Sequence, residues 1–422
     1  MTQISNAMKR DKYLEELKSL MHNGLIKVIT GIRRCGKSYL LFNLFYQYLK
    51  EIGIDERHII IADIENYKNR SLRKPDALYE YIENQIVDNA MHYLLLDEVQ
   101  LVDDFEGVLN GMLHKPNLDI YVTGSNARFL SKDVITEFRG RGYEVKLYPL
   151  SFSEFMQEYD GTVQSALHEF MIYGSLPQIL SLRTERAKVK FLKSLFEETY
   201  LRDIRDRYNI HNDCDIEELI DLLASGIGSL TSSNKLANTF RSVKQSSLSY
   251  GSIKKYLDIF CDAFLIEKAT RYDVKGKHYI DSPHKYYFTD LGLRNARINF
   301  RQIEYTHLME NLIYNELRIR GYNVDVGIFP IVLRNSEGRQ QRSQLEIDFV
   351  CNLGSRRLYI QSAYRIESEE KVAQEKASLM RIDDSFQKVI IVGYETPLTR
   401  DAHGITTISI YDFLTNFGIF DW

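Results

Sequence analysis

Residues 31–38 of the chain read Gly31-Ile32-Arg33-Arg34-Cys35-Gly36-Lys37-Ser38. The stretch fits G-x-x-x-x-G-K-[ST], the pattern of a phosphate-binding loop. An apolar run at 25–30 precedes it and predicts a buried strand, and the residues from Tyr39 onward have the pattern of a helix. Glycines allow backbone N–H groups to close around phosphate oxygens at the positive end of that helix. The sequence therefore predicts a strand–loop–helix unit that binds the phosphates of a nucleotide.

Residue types within the loop indicate separate roles. We expect Lys37 to contact the β- and γ-phosphates and Ser38 to hold Mg²⁺. The alternative is a plain glycine turn in which Ser38 caps the following helix. The predicted nucleotide-contacting residues are Gly31, Ile32, Arg33, Arg34, Cys35, Gly36, Lys37, Ser38 and Tyr39.

A second motif, about sixty residues further on, makes the nucleotide interpretation stronger. Residues 92–96 are an apolar run that ends in Asp97 and Glu98. Such a run predicts a buried parallel strand, and ligands bind at the carboxyl ends of these strands. We expect Asp97 to reach the Mg²⁺ and Glu98 to orient the attacking water. The alternative is a strand followed by an acidic turn.

Bulk properties exclude several classes of protein. The 422 residues are enough for two to four domains, and 44% hydrophobic with 27% charged residues is ordinary for a globular chain. A net charge of −4 argues against a generally basic nucleic-acid-binding surface. The four cysteines are widely spaced, as reduced thiols in a cytoplasmic protein are. No signal peptide or membrane-spanning run is present in the sequence.

Polar residues after the first motifs are candidates for further catalytic roles. Ser125 and Asn126 follow a predicted strand, where a sensor of the γ-phosphate could stand, although Gly-Ser-Asn is also good turn chemistry. Arg141 is the first candidate for an arginine finger and Arg139 the second, acting within the chain or on a neighbouring copy. The alternative for both arginines is an ordinary surface loop.

Residues 226–298 have the pattern of a winged helix. A helix around Phe240 and a second around Leu257 precede a hairpin near 270–279. A winged helix binds DNA through phosphate contacts or serves as a protein-interaction module, and both alternatives stay open. The basic residues that would contact phosphates are Lys254, Lys255, Arg271, Lys275 and Lys277.

Acidic residues in the last quarter suggest a metal-dependent nuclease site that has lost its chemistry. Glu310 lies on a predicted helix and Asp348 on a predicted strand, the places of two Mg²⁺ ligands. The next strand carries Gln361-Ser362-Ala363 where Glu-x-Lys would complete such a site. Gln361 is a weaker ligand and Ala363 has no charge, so nuclease activity is not expected.

Taken together, these motifs resemble a family of bacterial and archaeal AAA+-like P-loop ATPases with a C-terminal domain of unknown function. The resemblance implies ATP as the nucleotide, where the loop alone leaves GTP open, and a C-terminal half that combines a winged helix with a restriction-endonuclease-like fold. The predicted fold class is α/β, a P-loop parallel sheet with a helical lid and then these two parts. The matching strings are residues 29–38, 96–100, 123–126, 140–141, 147–152, 173–177, 285–290 and 346–349.

The predicted domains are a P-loop ATPase core at 1–155, a helical lid at 156–225, the winged helix at 226–298 and the nuclease-like part at 299–422. Three functions are compatible with this order. The first is a Mg²⁺-dependent ATPase that acts as a switch or motor, and self-association is expected if the arginine finger acts on a neighbouring copy. The second is a DNA-binding or DNA-processing protein regulated by ATP. The third is a nucleotide-regulated platform for another protein.

Overall fold

The structure is a computed structural model, and it describes residues 8–124, 138, 140–208, 213–243, 248–301, 303–334, 340–366 and 368–421. Ser125, Asn126 and Arg139 lie outside the described residues. The chain divides into two compact units. The first contains the residues up to Leu150 and also 262–264, and the second contains the remainder. The four domain boundaries stay predictions.

Within the described residues, five parallel strands form the sheet of the first unit, in the order β2-β3-β4-β1-β5. The three central strands β1, β3 and β4 are buried on both faces, as a parallel sheet covered by helices requires, whereas the edge strands β2 and β5 are partly exposed. The phosphate-loop strand β1 lies between β4 and β5, so β4 separates it from β3, which carries Asp97. The strands are β1 (Ile26–Thr30), β2 (Ile59–Asp63), β3 (His92–Asp97), β4 (Leu118–Gly124) and β5 (Gly142–Lys146).

Helices accompany this sheet, and the helix predicted from Tyr39 onward is among them. The helix after the phosphate loop consists of α2 (Lys37–Tyr39), a π-helical stretch at Leu40–Phe45 and α3 (Tyr46–Glu51). Apolar side chains from the strands and from two of the helices form one core. The other helices of the unit are α1 (Asp11–Ser19), α4 (Pro75–Gln85) and α5 (Phe105–Met112), with short 3-10 turns at Glu56–His58, Tyr67–Arg73 and Val99–Leu101.

The second unit begins with a helical region, as predicted. Its first helix starts at Ser151, which forms a capping box with Glu154. A second π-helical stretch runs over Leu195–Leu201. The helices up to the hairpin are α6 (Phe152–Met156), α7 (Val163–Tyr173), α8 (Gln178–Ser181), α9 (Glu185–Ser194), α10 (Arg202–Tyr208), α11 (Asp213–Ser225), α12 (Ser233–Val243) and α13 (Tyr250–Asp262).

The predicted hairpin is present, but it belongs to a larger sheet. Strands β6 (Ile266–Asp273) and β7 (His278–Phe288) pair antiparallel, and β6 also pairs with β8. Both strands thereby join an eight-stranded mixed sheet in the described part of the chain, ordered β12-β13-β11-β10-β9-β8-β6-β7. The winged-helix interpretation stays a prediction, because these strands pair with the sheet of the C-terminal region as well as with each other.

The C-terminal region supplies the rest of this sheet. The acid-bearing segments predicted as strand and helix are confirmed as such. The elements are α14 (Leu291–Arg297), α15 (Tyr305–Ile319), β8 (Asn323–Arg334), β9 (Gln340–Leu353), β10 (Arg356–Ala363), α16 (Glu369–Leu379), β11 (Gln387–Val392), β12 (Thr399–Arg400), β13 (Ile405–Ser409) and α17 (Ile410–Thr415). The restriction-endonuclease-like assignment stays a prediction.

A buried aspartate joins two distant segments of this unit. Asp290 caps α14 by accepting a hydrogen bond from the Leu293 N–H at 2.9 Å, and it also accepts one from the Ser175 N–H at 2.7 Å. A Cβ on Gly174 would lie 2.3 Å from the Asp290 carboxylate, and one on Gly292 would lie 2.0 Å from the Tyr173 carbonyl. The Asp290 carboxylate at Gly174 and the Tyr173 carbonyl at Gly292 leave no room for a side chain, so both positions require glycine.

Candidate functional site

The phosphate loop lies at the carboxyl edge of the first sheet, between β1 and α2. Gly31 has φ of 145° and Gly36 has φ of 106°, values that favour glycine. A Cβ on Gly31 would lie 2.1 Å from the carbonyl oxygen of Leu147. Both motif glycines are therefore required by the backbone path, in addition to any role in approaching a phosphate.

Two cationic side chains engage the loop's own carbonyl groups. The Lys37 ammonium, 5% exposed, donates to the carbonyl oxygens of Gly31 at 3.0 Å and Ile32 at 3.2 Å. The Arg10 guanidinium, 2% exposed, donates to the carbonyls of Cys35 at 3.1 Å and Tyr148 at 2.7 Å. Lys37 thus lies across the loop where the motif predicts a phosphate, while Arg10 joins the loop to the segment after β5.

The predicted metal ligands are brought together. Asp97, 5% exposed at the end of β3, lies close to the exposed Ser38 hydroxyl, which interacts with its carboxylate. Burial raises the pKa of Asp97, the nearby carboxylates of Glu98 and Asp63 raise it further, and hydrogen bonds from Thr123 and Ser38 oppose the shift. A serine hydroxyl beside a carboxylate is an oxygen donor pair suited to Mg²⁺.

Thr123 contacts two of the predicted site residues but was not itself among the predicted ones. Its hydroxyl, fully buried at the end of β4, donates to the Asp97 carboxylate and accepts the backbone N–H of Glu98 at 3.0 Å. Glu98 has φ of 51°, in the left-handed region, so its backbone is held in an unfavourable conformation. Gln100 donates to the Glu98 carboxylate. The signal that could have identified Thr123 was a threonine at the end of a buried strand that lies next to β3.

Asp63 is a second missed residue. It ends β2 and is the register partner of Asp97 on the neighbouring strand. Its carboxylate accepts the backbone N–H groups of Glu65 at 3.0 Å and Asn66 at 3.2 Å. Three carboxylates, those of Asp63, Asp97 and Glu98, therefore lie at the same edge of the sheet as the phosphate loop, where they supply negative potential for a cation.

Arg141 lies at the other edge. Its carbonyl accepts the backbone N–H of Ile26 at 2.8 Å, and Ile26 is the first residue of β1. The phosphate loop follows the last residue of the same strand, about 13 Å away at ~3.3 Å per residue. Arg141 is exposed, but it is not placed to reach the phosphate site of its own chain. Action as a finger on a neighbouring copy stays a prediction.

The second unit brings the predicted nuclease-like residues together, with an addition. Lys285 on β7, 3% exposed, lies 2.7 Å from Glu310, 2.7 Å from Glu346 and 3.9 Å from Asp348. Burial raises the pKa of Asp348 to about 8, and the Glu310 carboxylate adds to this shift. Burial alone would lower the pKa of Lys285, but the surrounding carboxylates outweigh it and raise the value.

The basic residues predicted to contact DNA differ in accessibility. Arg271 is 8% exposed and donates to the Gln344 side chain at 2.6 Å, so it is not available to a phosphate on the surface. The four lysines are exposed on α13 and on the turn between β6 and β7, and they are Lys254, Lys255, Lys275 and Lys277.

A further group of potential metal ligands, His58, Asp88 and His92, lies near the amino ends of β2 and β3. The Nδ1 of His92 donates to the Ala90 carbonyl at 2.8 Å, and its Nε2 accepts the Val87 N–H at 3.2 Å. His92 therefore has no free lone pair for a metal. The His58–Asp88 pair, with 3.0 Å between Nε2 and Oδ2, is an ordinary surface contact.

Comparisons with known proteins agree with the geometry of the first unit. Residues 23–156 match the family model of an AAA domain, and residues 164–304 match that of a domain of unknown function, DUF8612. The phosphate loop, the carboxylates at the end of β3 and this match together place residues 23–156 in the AAA class of P-loop domains.

The chain belongs to a family of AAA-domain proteins with a following domain of unknown function. A Haemophilus influenzae protein described as uncharacterized is 32% identical over 418 residues, which cover 97% of this chain and 100% of that protein. The uncharacterized protein MJ1544 of Methanocaldococcus jannaschii is 29% identical over 376 residues, covering 85% of this chain and 79% of that protein.

Solved structures show weaker likenesses. An Aeropyrum pernix ORC1 protein in complex with DNA is 10% identical, with 69% of this chain and 92% of that chain covered and a TM-score of 0.30. A Thermotoga maritima DNA polymerase III gamma subunit-related protein is 12% identical, with 73% and 85% covered and a TM-score of 0.30. Scores this low support no inference about function. In the described part of the chain, no helix has the length and apolar character that crossing a bilayer requires.

Proposed function

We propose that this protein is a Mg²⁺-dependent ATPase that works as a nucleotide-driven switch or motor. The observation that carries the proposal is the nearness of the phosphate-loop Ser38 hydroxyl to the Asp97 carboxylate of β3. The donor set fits the cation, because hard oxygen ligands lie beside the loop that would hold the phosphates. Mg²⁺, held by Ser38 and Asp97, would neutralise phosphate charge when bound.

The chain's own residues account for the rest of the reaction. Lys37 leaves the carbonyls of Gly31 and Ile32 and contacts the β- and γ-phosphates of ATP. Glu98, placed by Thr123, orients a water molecule and accepts its proton as the water oxygen attacks the γ-phosphorus. The bond from that phosphorus to the β–γ bridging oxygen breaks, so the products are ADP and inorganic phosphate.

Two further roles complete the proposal, and the residues of the first of them lie outside the described part of the chain. Ser125 or Asn126 would sense the γ-phosphate directly after β4. Arg141 would stabilise the transition state of a neighbouring copy, since it lies at the far edge of its own sheet. The protein would then be most active as a homo-oligomer.

The decisive experiment separates binding from turnover. Glu98→Gln should bind ATP with parental affinity and lose hydrolysis by about 10²-fold or more, because only the base is removed. Lys37→Ala should lose binding. Asp103→Asn, which changes an exposed carboxylate five positions further on, is the matched control and should behave as the parent does. Parental turnover in Glu98→Gln would contradict the role of Glu98, and ATP binding equal to the parent's in Lys37→Ala would contradict the site itself.

The exposed lysines support a second candidate, DNA binding by the second unit. Lys254 and Lys255 on α13 and Lys275 and Lys277 on the hairpin turn are free of burial, whereas Arg271 is not. Binding of duplex DNA should weaken steeply with salt, and Lys275→Ala/Lys277→Ala should reduce that slope. If the chain binds no DNA at low salt, with and without ATP, the surface is better tested as a protein-docking platform, by pull-down in the ATP-bound and empty states.

A further inference from the structure

Lys285 lies in the centre of a carboxylate cluster that three elements build. Its ammonium is 2.7 Å from Glu310 on α15, 2.7 Å from Glu346 on β9 and 3.9 Å from Asp348 on β9. The lysine side chain is 4% exposed, and those of Glu310 and Asp348 are 11% exposed. No other cationic nitrogen in the described residues lies within ion-pair distance of Glu310 or Asp348.

The acid pair is the one from which the sequence predicts a divalent-cation site, and its donors are already engaged. The Glu310 Oε1 accepts hydrogen bonds from Lys285 and from the Tyr287 hydroxyl at 2.8 Å. The Asp348 Oδ2 accepts the Ser362 N–H at 2.8 Å. The Gln361 Oε1 lies 3.4 Å from the backbone nitrogen of Asp348, which donates to it. A divalent ion here would have to share the Glu310 carboxylate with Lys285 and Tyr287 and the Asp348 carboxylate with the Ser362 N–H.

Space and charge also oppose a second cation. The backbone of Gly228 closes one side, because a Cβ there would lie 3.2 Å from both oxygens of the Glu310 carboxylate. A divalent ion between Glu310 and Asp348 would stand beside the Lys285 ammonium in a buried site, where like charges repel strongly. The Lys285 ammonium carries the positive charge that the ion would carry, at the position that the ion would occupy, and it is covalently attached to the chain.

We propose that Lys285 is the built-in cation of this site. Its ammonium takes the place of the divalent ion that the Glu310–Asp348 pair would otherwise bind, and it joins β7, α15 and β9 electrostatically. The site therefore takes no metal in the native chain, and the metal-dependent cleavage that the acid pair suggests is blocked by Lys285 as well as by the change at Gln361-Ser362-Ala363. The proposal is independent of the ATPase activity.

Removing the ammonium should convert the cluster into a metal site. In Lys285→Ala, three carboxylates are left without a counter-ion, and the truncated side chain leaves room for a hydrated ion. Lys285→Met removes the same charge but keeps most of the volume. We expect both variants to melt at lower temperature than the parent in EDTA, and only Lys285→Ala to regain stability when Mn²⁺ is added.

The test uses the full chain without nucleotide, in an Asp97→Asn background that removes the metal ligand of the ATP site. Mn²⁺ binding is counted by electron paramagnetic resonance. The expected result is about one more Mn²⁺ per chain in Lys285→Ala than in the parent, lost again in Lys285→Ala/Asp348→Asn.

Two outcomes would overturn the proposal. One is that the chain with native Lys285 binds Mn²⁺, or nicks DNA in a Mg²⁺-dependent reaction, and that Asp348→Asn abolishes this binding or nicking. The other is a folded Lys285→Ala that binds no additional Mn²⁺. If Lys285→Ala does not fold, the chain with native Lys285 is compared with its Asp348→Asn variant. A site that the ammonium already occupies predicts equal Mn²⁺ binding by these two proteins, so the comparison still decides the question.

Discussion

Replacing Thr123 by valine should damage both the stability of the first sheet and the hydrolysis of ATP. Valine keeps the shape of the buried side chain but removes the hydroxyl that donates to Asp97 and accepts the Glu98 N–H at 3.0 Å. A hydrogen bond to a charged group contributes about 1.5–3 kcal/mol and a neutral one about 0.5–1.5 kcal/mol. The free energy of local opening of the strand ends at Asp97 and Thr123 is therefore expected to fall by about 2–4.5 kcal/mol.

The functional effect follows from the backbone of Glu98. Its left-handed conformation, with φ of 51°, is held by the bond to Thr123. Once this bond is lost, the carboxylate is displaced from the attacking water, and a displacement of about 1 Å costs on the order of 10² in rate. ATP affinity should change much less than kcat, since Lys37 and the phosphate loop are untouched.

The assay combines steady-state ATP hydrolysis with hydrogen–deuterium exchange of peptides that cover residues 92–101, because protection there reports the local free energy of opening. Thr123→Ser is the matched control, since it keeps the hydroxyl and loses only a methyl group. Parental kcat and parental protection in Thr123→Val would refute the reasoning. Equal loss of activity in Thr123→Ser would also refute it, because the methyl group would then be responsible.

Two more predictions concern buried charges of the same unit. Asp119→Asn leaves the fully buried Lys27 ammonium without its counter-ion and should lower the free energy of unfolding by about 3–5 kcal/mol. In calorimetry, Lys27→Met/Asp119→Leu should recover most of this loss, and a double variant as unstable as Asp119→Asn would contradict the assignment. Burial raises the pKa of Asp97, so the empty site keeps its proton to higher pH than an ordinary aspartate does. The calorimetric affinity for MgATP should therefore increase with pH through that raised pKa, and a pH dependence unchanged in Asp97→Asn would contradict this.

The sequence pattern was sufficient to predict the structure wherever the residues of one segment determine the conformation of that segment. The apolar runs at 26–30 and 92–97 are strands, and the glycines at 31 and 36 have the backbone conformations that the motif requires. These features are local, because periodicity and turn chemistry are properties of neighbouring residues. The nearness of Ser38 to Asp97 follows from them, since parallel strands bring their carboxyl ends together.

Features that depend on pairing between distant segments could not be predicted from the sequence pattern. Lys27 lies in an apolar run, and its counter-ion Asp119 is on another strand with no local signal. Lys285 fills the cluster from β7, far from the position where a short motif would place a lysine. Arg141 precedes a strand, but only the parallel pairing of β5 with β1 reveals at which edge of the sheet it lies.

The close approach of Gly31 to Leu147 has a mechanical consequence. Leu147 donates its N–H to the Thr30 carbonyl at 2.8 Å, and Arg10 bonds to the carbonyls of both Cys35 and Tyr148. The phosphate loop and the segment after β5 are thus joined by main-chain contacts and by the Arg10 side chain. If the loop rearranges when ATP binds, as the proposed function implies, residues 147–148 are expected to move with it.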